Sequence, residues 1–553
     1  MKISDIIVKF LKLNKVDTVF ALPGEENLDL LESLSDNNIK LVITHHESSA
    51  GFMAANYSRL TGNLGVCLTT VGPGITNAIS AVAYSKLLGI STLFISAGKA
   101  QGINQGYFQD IPTTEILKPL TNTSIVLTSE FDCIAVLNNL YKSAFYGKKG
   151  PVHLELPDDI AGKNVSDSLI SSLSKINYQP TYAPKKLIEK ISSLIVDSKK
   201  PILILGTRAN NKNISKKVSE LIVKFGFYAV TTQMGKGAID ESLNNFLGTI
   251  AFTEDDYLHD ELKLADLFIY VGVDTAEKAQ FKKSDKAKIV NIDSFFSREY
   301  SEFIPDFELI GDIEYSCREL SDILISKNVN FYESFIHSKE LLNERIYNKS
   351  LKDQSPKSIE KIITQISDHV SNDSIVALDN GLYKVWFARN FLVSNPQTLL
   401  LDNHFATMGA GLSSSIVAGL LNRDKRTYAI VGDGGLLMNP QDLATCVSEQ
   451  LNLTIIVLSD ESFGMIDWKQ KKVNKDNKST DFINPDFNAL SKAFNITFFE
   501  VSLENSLPNT LVKSSLTQGV SLIKVPLNYY ENNITISEKL QNTFKLTDGE
   551  KDV

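Results

Sequence analysis

Short apolar runs alternate with stretches of helical spacing along most of this chain. Between residues 1 and 165 the runs Asp17–Ala21, Leu41–Thr44, Val66–Thr69, Ser91–Ser96 and Pro151–Glu155 predict strands. A second series lies between 185 and 327: Pro201–Leu205, Tyr228–Thr231, Leu267–Val271 and Ala287–Asn291. A third occupies 356–527: Ser374–Leu378, Thr398–Leu401, Thr427–Val431, Leu453–Leu458 and Val520–Val525. Repeated β–α units predict doubly wound parallel sheets, so the expected fold is α/β with three such domains. Lys163–Pro184 is rich in Ser, Asn and Pro and reads as a linker. Ser326–Ser355 reads as a polar helical stretch bridging outward, and the polar tail from Asn528 onward as partly mobile.

Thr427–Gly464 reads as one βαβ unit. Its helix is expected over Met438–Gln450, where Leu443 and Val447 share a face. Such a unit sets its strands side by side and parallel, with a right-handed crossover. Gly432-Asp433-Gly434-Gly435 leaves the first strand and Asp460 leaves the second. Both carboxylates therefore reach the carboxyl edge of the sheet, where open α/β sheets bind ligands. Two carboxylates there suit Mg²⁺, which takes oxygen ligands and shares them with a substrate's phosphates. Gly434 and Gly435 let backbone N–H groups approach a phosphate. A glycine-rich turn with a helix-capping Asp is the plainer reading, and the second Asp argues against it.

Composition narrows the classes. A chain of 553 residues exceeds one hydrophobic core, and 43% hydrophobic with 22% charged residues is ordinary for a globular protein. A net charge of −9 without basic clusters argues against a nucleic-acid partner. Lys469–Lys478 reads as a solvated loop. No apolar run of about 18 residues predicts a membrane span, and Met1–Asp5 does not open a signal peptide. Cys67, Cys133, Cys317 and Cys446 lack metal-ligand spacing and read as buried thiols of a cytoplasmic protein.

From about Asp5 to Pro526 the motifs, in this order, resemble the thiamine-diphosphate-dependent enzymes, and within them the acetolactate synthase group. Thr44-His45-His46-Glu47 followed by Ala50–Ala54 is similar to the family's Glu and the helix after it. The resemblance implies that Glu47 bonds N1′ of the aminopyrimidine. Adjacent strand-end residues such as His45 and His46 point to opposite faces, so they do not form an acid–base pair. Thr69–Asn77 resembles the loop lining the pyrimidine, which implies Gly72, Pro73 and Asn77 as cofactor contacts. Gly106–Asp110 resembles the group's active-site stretch, with Phe108 and Gln109 shaping the acceptor pocket. Related aldehyde-releasing decarboxylases carry a paired His near there, which this chain lacks.

In the third segment Phe405–Gly411 resembles the stretch whose Met wedges under the cofactor, here Met408, beside the Ala406 carbonyl. Asn380 and Gly381 fall on the diphosphate side, with Gly432 to Gly435. The family's metal ligands carry over to Asp433, Asp460 and the main-chain carbonyl of Ser462. Phe463, Gly464 and Met465 follow as cofactor contacts, and Ile466 and Trp468 would face the substrate. Several positions depart from the family pattern: Ser459 and Ser462 at the metal, Leu382 and Tyr383 at the diphosphate, and Asn122 where a Lys is usual.

The central segment's Thr232–Gly237 also resembles the group. Biosynthetic members hold FAD here, but this chain has Gly272–Glu277 in place of their Arg-Phe-Asp-Asp-Arg run, so FAD is the less favoured expectation. The activity implied is that of a transferase: decarboxylation of pyruvate and transfer of the two-carbon unit to a second 2-oxo acid, giving 2-acetolactate. Another decarboxylase, lyase, oxidase or acyltransferase of the same fold is the nearer alternative, and a non-catalytic binding protein the further one. The expected partners are 2-oxo acids, a second copy of the chain completing the active site, and in some members a small regulatory subunit.

Overall fold

The computed structural model describes residues 1–100, 108–166, 173–177, 179–250, 257–277, 283–297, 304–342, 358–472 and 479–529. These build three six-stranded sheets, parallel throughout. The first contains β1 (Thr18–Ala21), β2 (Lys40–Ile43), β3 (Gly65–Thr69), β4 (Thr92–Gly98), β5 (Thr123–Val126) and β6 (Val152–Pro157), in the order β2-β1-β3-β4-β6-β5. The second contains β7 (Pro201–Leu205), β8 (Tyr228–Thr232), β9 (Phe246–Ile250), β10 (Leu267–Val271), β11 (Lys288–Asp293) and β12 (Phe307–Ile310), in the order β12-β11-β10-β7-β8-β9. The third contains β13 (Val376–Leu378), β14 (Leu399–Leu400), β15 (Thr427–Gly432), β16 (Leu453–Ser459), β17 (Thr497–Glu500) and β18 (Val520–Pro526), in the order β14-β13-β15-β16-β18-β17. The first and third sheets thus share one topology. The central sheet has the doubly wound order that reverses between its first and fourth strands, β7 and β10.

The inner strands β3, β4, β7, β10 and β16 are buried along their whole length, as helices covering both faces of a parallel sheet require. That is why they read as unbroken apolar runs. The four strands that periodicity missed, β5, β9, β12 and β17, all lie at sheet edges. Three of them are only partly buried and carry no continuous apolar run. The fourth is interrupted by Gly248.

Three other expectations need correction. The helix expected over Met438–Gln450 is shorter, Asp442–Ser448, because Asn439 and Pro440 keep the chain in a turn before it. The described part of Ser326–Ser355 does not bridge outward at Phe331 and Phe335, whose rings are buried in the central domain. Asn528 and Tyr529 are not a loose tail: Tyr529 is buried and stacks on Trp386, ring centroids 5.7 Å apart. Residues 530–553 lie outside the described residues, as do residues 473–478 of the Lys-rich loop. All four cysteines are buried and free. No described helix is long and apolar enough to cross a membrane.

Topologically equivalent helices join the first and third sheets. Glu47–Thr61 follows β2, Ala410–Leu421 follows β14, and their buried residues belong to one hydrophobic cluster. Polar bonds complete the seam: the Arg59 guanidinium donates to the Leu401 carbonyl at 3.1 Å, and Thr445 Oγ1 to the Ile43 carbonyl at 3.0 Å.

The motif Thr232–Gly237 docks the central domain. The Asn403 amide bonds Gln233, and the Asn403 N–H reaches the Met234 sulfur at 3.4 Å. Lys236 and Glu241 form an ion pair at 2.6 Å with side chains 2% and 0% exposed. Glu241 also accepts from the Val393 N–H at 3.1 Å, across the domain boundary. Removing one partner of such a pair leaves an uncompensated buried charge. Lys236→Met should therefore destabilise the fold by about 3–5 kcal/mol. Urea unfolding checks this, and an unchanged midpoint would refute it.

Candidate active site

The expected site residues fall into two groups on two sheets. The first group gathers at the carboxyl ends of β2, β3 and β4. Glu47 opens the helix Glu47–Thr61, and His46 caps it, its Nδ1 accepting from the Ser48 N–H at 3.2 Å. That is a structural role for His46, in keeping with the two histidines not pairing. The Glu47 carboxylate is buried and accepts from Asn77 Nδ2 at 3.0 Å. Asn77 ends the short helix Pro73–Asn77, which Pro73 opens. Gly72 has φ +48°, and a Cβ there would stand 2.6 Å from the Gln109 carbonyl, so only glycine lets these loops meet. Phe108 lies beside Gln109, 68% exposed, with the Lys99 ammonium 5.4 Å from its ring centre. Gly106 and Tyr107 lie outside the described residues.

The second group lines a cavity of about 300 Å³ at the carboxyl ends of β13, β15 and β16. Asn380, Gly381, Ala406, Met408, Gly432 to Gly435, Asp460 and Ser462 to Ile466 all contribute to its wall. Trp468 does not; it packs half-buried against the core on the helix Gly464–Lys472.

Asp433 follows β15 and is almost fully buried. One carboxylate oxygen accepts from the Gly434 N–H at 2.8 Å. The other accepts from the Glu461 N–H at 2.8 Å, Asn484 Nδ2 at 2.8 Å and Ser459 Oγ at 3.1 Å. Ser459, where the family has Asn, therefore orients the first carboxylate. Asp460 follows β16. Burial, together with the charge of Asp433, pushes its pKa up to about 7. Ser462 Oγ and Asn484 Oδ1 are buried with no partner in the protein. Paired carboxylates that resist ionising together, beside orphaned oxygens, form a donor set suited to a hard cation. Among the described residues no cluster of three His, Cys, Asp or Glu side chains offers a metal site, so ligands beyond the two carboxylates would be oxygens of other kinds.

Asp379, which sequence reasoning missed, organises the floor. It follows β13, is buried, and accepts from the Gly409 and Gly411 N–H groups at 3.0 Å each. A Cβ on Gly435 would collide with its carboxylate, so that glycine serves an internal contact. Asp402 holds Ala406 at φ +52° by accepting from the His404, Phe405 and Ala406 N–H groups at 2.8, 3.1 and 2.7 Å. Asn380 is fixed by donating to the Thr407 carbonyl at 2.7 Å. Tyr529, beyond the last strand, completes the wall. Asp379 could have been noticed at a strand end before Gly381; Asn484 and Tyr529 carry no local signal.

The unusual residues have structural explanations. Tyr383 is buried with its hydroxyl accepting from the Gly432 N–H at 2.9 Å. Asn122 donates to the Ser143 and Lys148 carbonyls at 2.9 and 3.1 Å and accepts from Lys86 at 2.7 Å, so it ties loops together. Tyr383→Phe would leave the Gly432 N–H unsatisfied, and should cost about 1–3 kcal/mol. Thermal unfolding of the two proteins measures it; equal stability would show that the bond is dispensable.

Comparison with known proteins agrees with this division. Residues 1–116 match the N-terminal TPP binding domain of thiamine pyrophosphate enzymes, 188–320 the central domain, and 379–525 the C-terminal TPP binding domain. Thiamine pyrophosphate is thiamine diphosphate. A catabolic acetolactate synthase of Raoultella terrigena is 26% identical, with 97% of this chain and 96% of that protein aligned. A probable acetolactate synthase large subunit of Methanococcus aeolicus is 26% identical over 92% and 89% of the two chains. A putative thiamine pyrophosphate-containing protein of Bacillus subtilis is 26% identical over 86% and 83%. With all three domains matched in order, the chain belongs to the thiamine pyrophosphate enzymes and is acetolactate synthase-like.

Proposed function

We propose that this protein decarboxylates pyruvate and joins the remaining two-carbon unit to a second 2-oxo acid, giving 2-acetolactate, with thiamine diphosphate and Mg²⁺ as cofactors. The observation that carries the reading is the pair Asp433, buried, and Asp460, partly buried, on adjacent strand ends, beside orphaned oxygens, in a chain whose full-length relatives include acetolactate synthases. When bound, thiamine diphosphate supplies the electron sink that loss of CO₂ requires.

The chain's own residues do the rest. Asp433, Asp460 and the Ser462 carbonyl hold Mg²⁺. Gly432, Gly434 and Gly435 would offer backbone to the diphosphate, with Asn380, Gly381, Phe463, Gly464 and Met465 lining the same cavity. Met408 supports the thiazolium, and the Ala406 carbonyl accepts from the aminopyrimidine. Glu47 holds a proton at N1′, oriented by Asn77 beside Gly72 and Pro73. Phe108, Gln109, Ile466 and Trp468 orient the acceptor.

Glu47 and the cavity stand on different sheets, and Glu47 does not line the cavity. As the family resemblance implies, a complete site takes Glu47 from one copy and Asp433 from another, in a homodimer or a dimer of dimers. Three relatives are named as large subunits, and a small regulatory subunit is compatible with this arrangement. FAD has no part in the reading. At the reversal point of the central sheet, Glu277 accepts from the Thr207 and Asp274 N–H groups at 3.1 and 3.0 Å. Arg208 donates to Asp293 and Asp274 at 2.7 and 3.0 Å. Those backbone and guanidinium groups are engaged with the chain's own carboxylates.

Glu47→Gln should slow proton exchange at C2 of bound cofactor by about 10²–10⁴-fold. Glu47→Gln and Asp433→Ala chains, each inactive alone, should regain up to about a quarter of wild-type activity when mixed and reassembled, since each mixed dimer keeps one intact site. No recovery on mixing would place both groups in one subunit's site.

Incubated with pyruvate, thiamine diphosphate and Mg²⁺, the protein should form 2-acetolactate, seen as acetoin after acidification. Trp468→Leu should shift the ratio between pyruvate and 2-oxobutanoate as acceptors, by the roughly 1–3 kcal/mol that one methylene is worth in such a pocket. Acetaldehyde or acetyl phosphate as the main product would overturn the proposed reaction while leaving the cofactor assignment standing.

A further inference from the structure

Lys384 is the cation in the wall of the Asp433 cavity. It opens the helix Lys384–Asn390, one turn beyond Asn380. Its ammonium donates to two neutral oxygens, Asn380 Oδ1 and the Asp402 carbonyl, the latter at 2.8 Å. Among the described residues no carboxylate pairs with it. The two carboxylates whose charge it feels are committed elsewhere. Asp379 accepts from Gly409 and Gly411, and Asp402 from three N–H groups of the turn before Met408. The side chain is partly buried in the cavity wall, and loss of hydration there lowers its pKa to about 8.

An ammonium that loses hydration is costly unless an opposite charge meets it, and neutral acceptors alone do not explain one. A neutral Gln could donate to the same two oxygens. The missing anion must come from what the cavity binds. The same wall carries Gly432 to Gly435 and the two acidic residues. A diphosphate ester held there through Mg²⁺ carries more negative charge than one divalent ion offsets. Leu382, next in the loop, is apolar, and the Tyr383 hydroxyl is taken by Gly432. Lys384 is left as the group of that loop able to meet the excess charge.

We propose that Lys384, presented by Asn380 and the Asp402 carbonyl, is the cationic contact for the diphosphate of the bound cofactor. The inference rests on the thiamine diphosphate reading above. Asn380 then has two roles: its amide nitrogen fixes the Thr407 turn, and its oxygen aims the ammonium into the cavity.

The test is calorimetric titration of the full-length protein with thiamine diphosphate in Mg²⁺, and separately with inorganic pyrophosphate, which carries the anion without the thiamine. Lys384→Gln should weaken both ligands by about 10- to 100-fold, as loss of a charged hydrogen bond does, and flatten the salt dependence of pyrophosphate binding. Lys384→Arg should restore most of the loss. Thermal unfolding without ligand establishes that each variant folds; should the Gln variant fail, Lys384→Met, which keeps the apolar stem, takes its place. Affinities within about two-fold of wild type would overturn the proposal, as would a loss confined to thiamine diphosphate with pyrophosphate binding unchanged. A wild-type protein that bound neither ligand would instead refute the cofactor reading itself.

Discussion

Two carboxylates one strand apart, both largely withdrawn from water, set the terms for the third domain. Left alone, such a pair repels itself and loses hydration. The protein resolves the conflict asymmetrically. Asp433 receives four hydrogen bonds and is locked in place, while burial and the charge of Asp433 leave Asp460 hard to ionise. The surrounding architecture serves that asymmetry. Parallel pairing of β15 with β16 delivers both groups to one edge, Asn484 arrives from a later loop, and Ser459 supplies a hydroxyl from the strand end itself.

The same economy of topology explains how three sheets become one molecule. The first and third share a strand order, and their equivalent helices bury one another almost completely. Because helix packing consumes those faces, the carboxyl edges stay free for chemistry. The central domain is attached through polar contacts that are themselves buried. Lys236 and Glu241 reach Val393, and the Asn210 side chain accepts from the Gln397 N–H at 2.7 Å. Buried polar contacts of this kind hold a defined orientation, since any misalignment strands a charge.

Where the chain departs from its family, neighbouring groups have adjusted. Tyr383 turns inward to cap a strand-end N–H. Arg208 is held between Asp274 and Asp293, at the edge where doubly wound sheets take nucleotides. These are the positions at which resemblance alone is least informative about ligands, because the side chain that replaces a ligand contact finds a partner within the protein.

The order of motifs, the α/β class and the two Asp residues at strand ends were legible in the chain alone, because inner parallel strands are continuously apolar and a βαβ unit has one handedness. Family likeness in the sequence also marked the Glu47 and Met408 stretches. The edge strands β5, β12 and β17 were not legible, since they are only partly buried and their residues carry mixed polarity. Nor were Asp402, Asn484 and Tyr529, whose importance lies in contacts with residues distant in sequence or in turns without a repeating pattern. That the Lys384 ammonium meets only neutral oxygens among the described residues, and that Glu47 does not line the Asp433 cavity, were decided only by tertiary structure: local periodicity reports which face of an element is covered, and it takes packing to say by what.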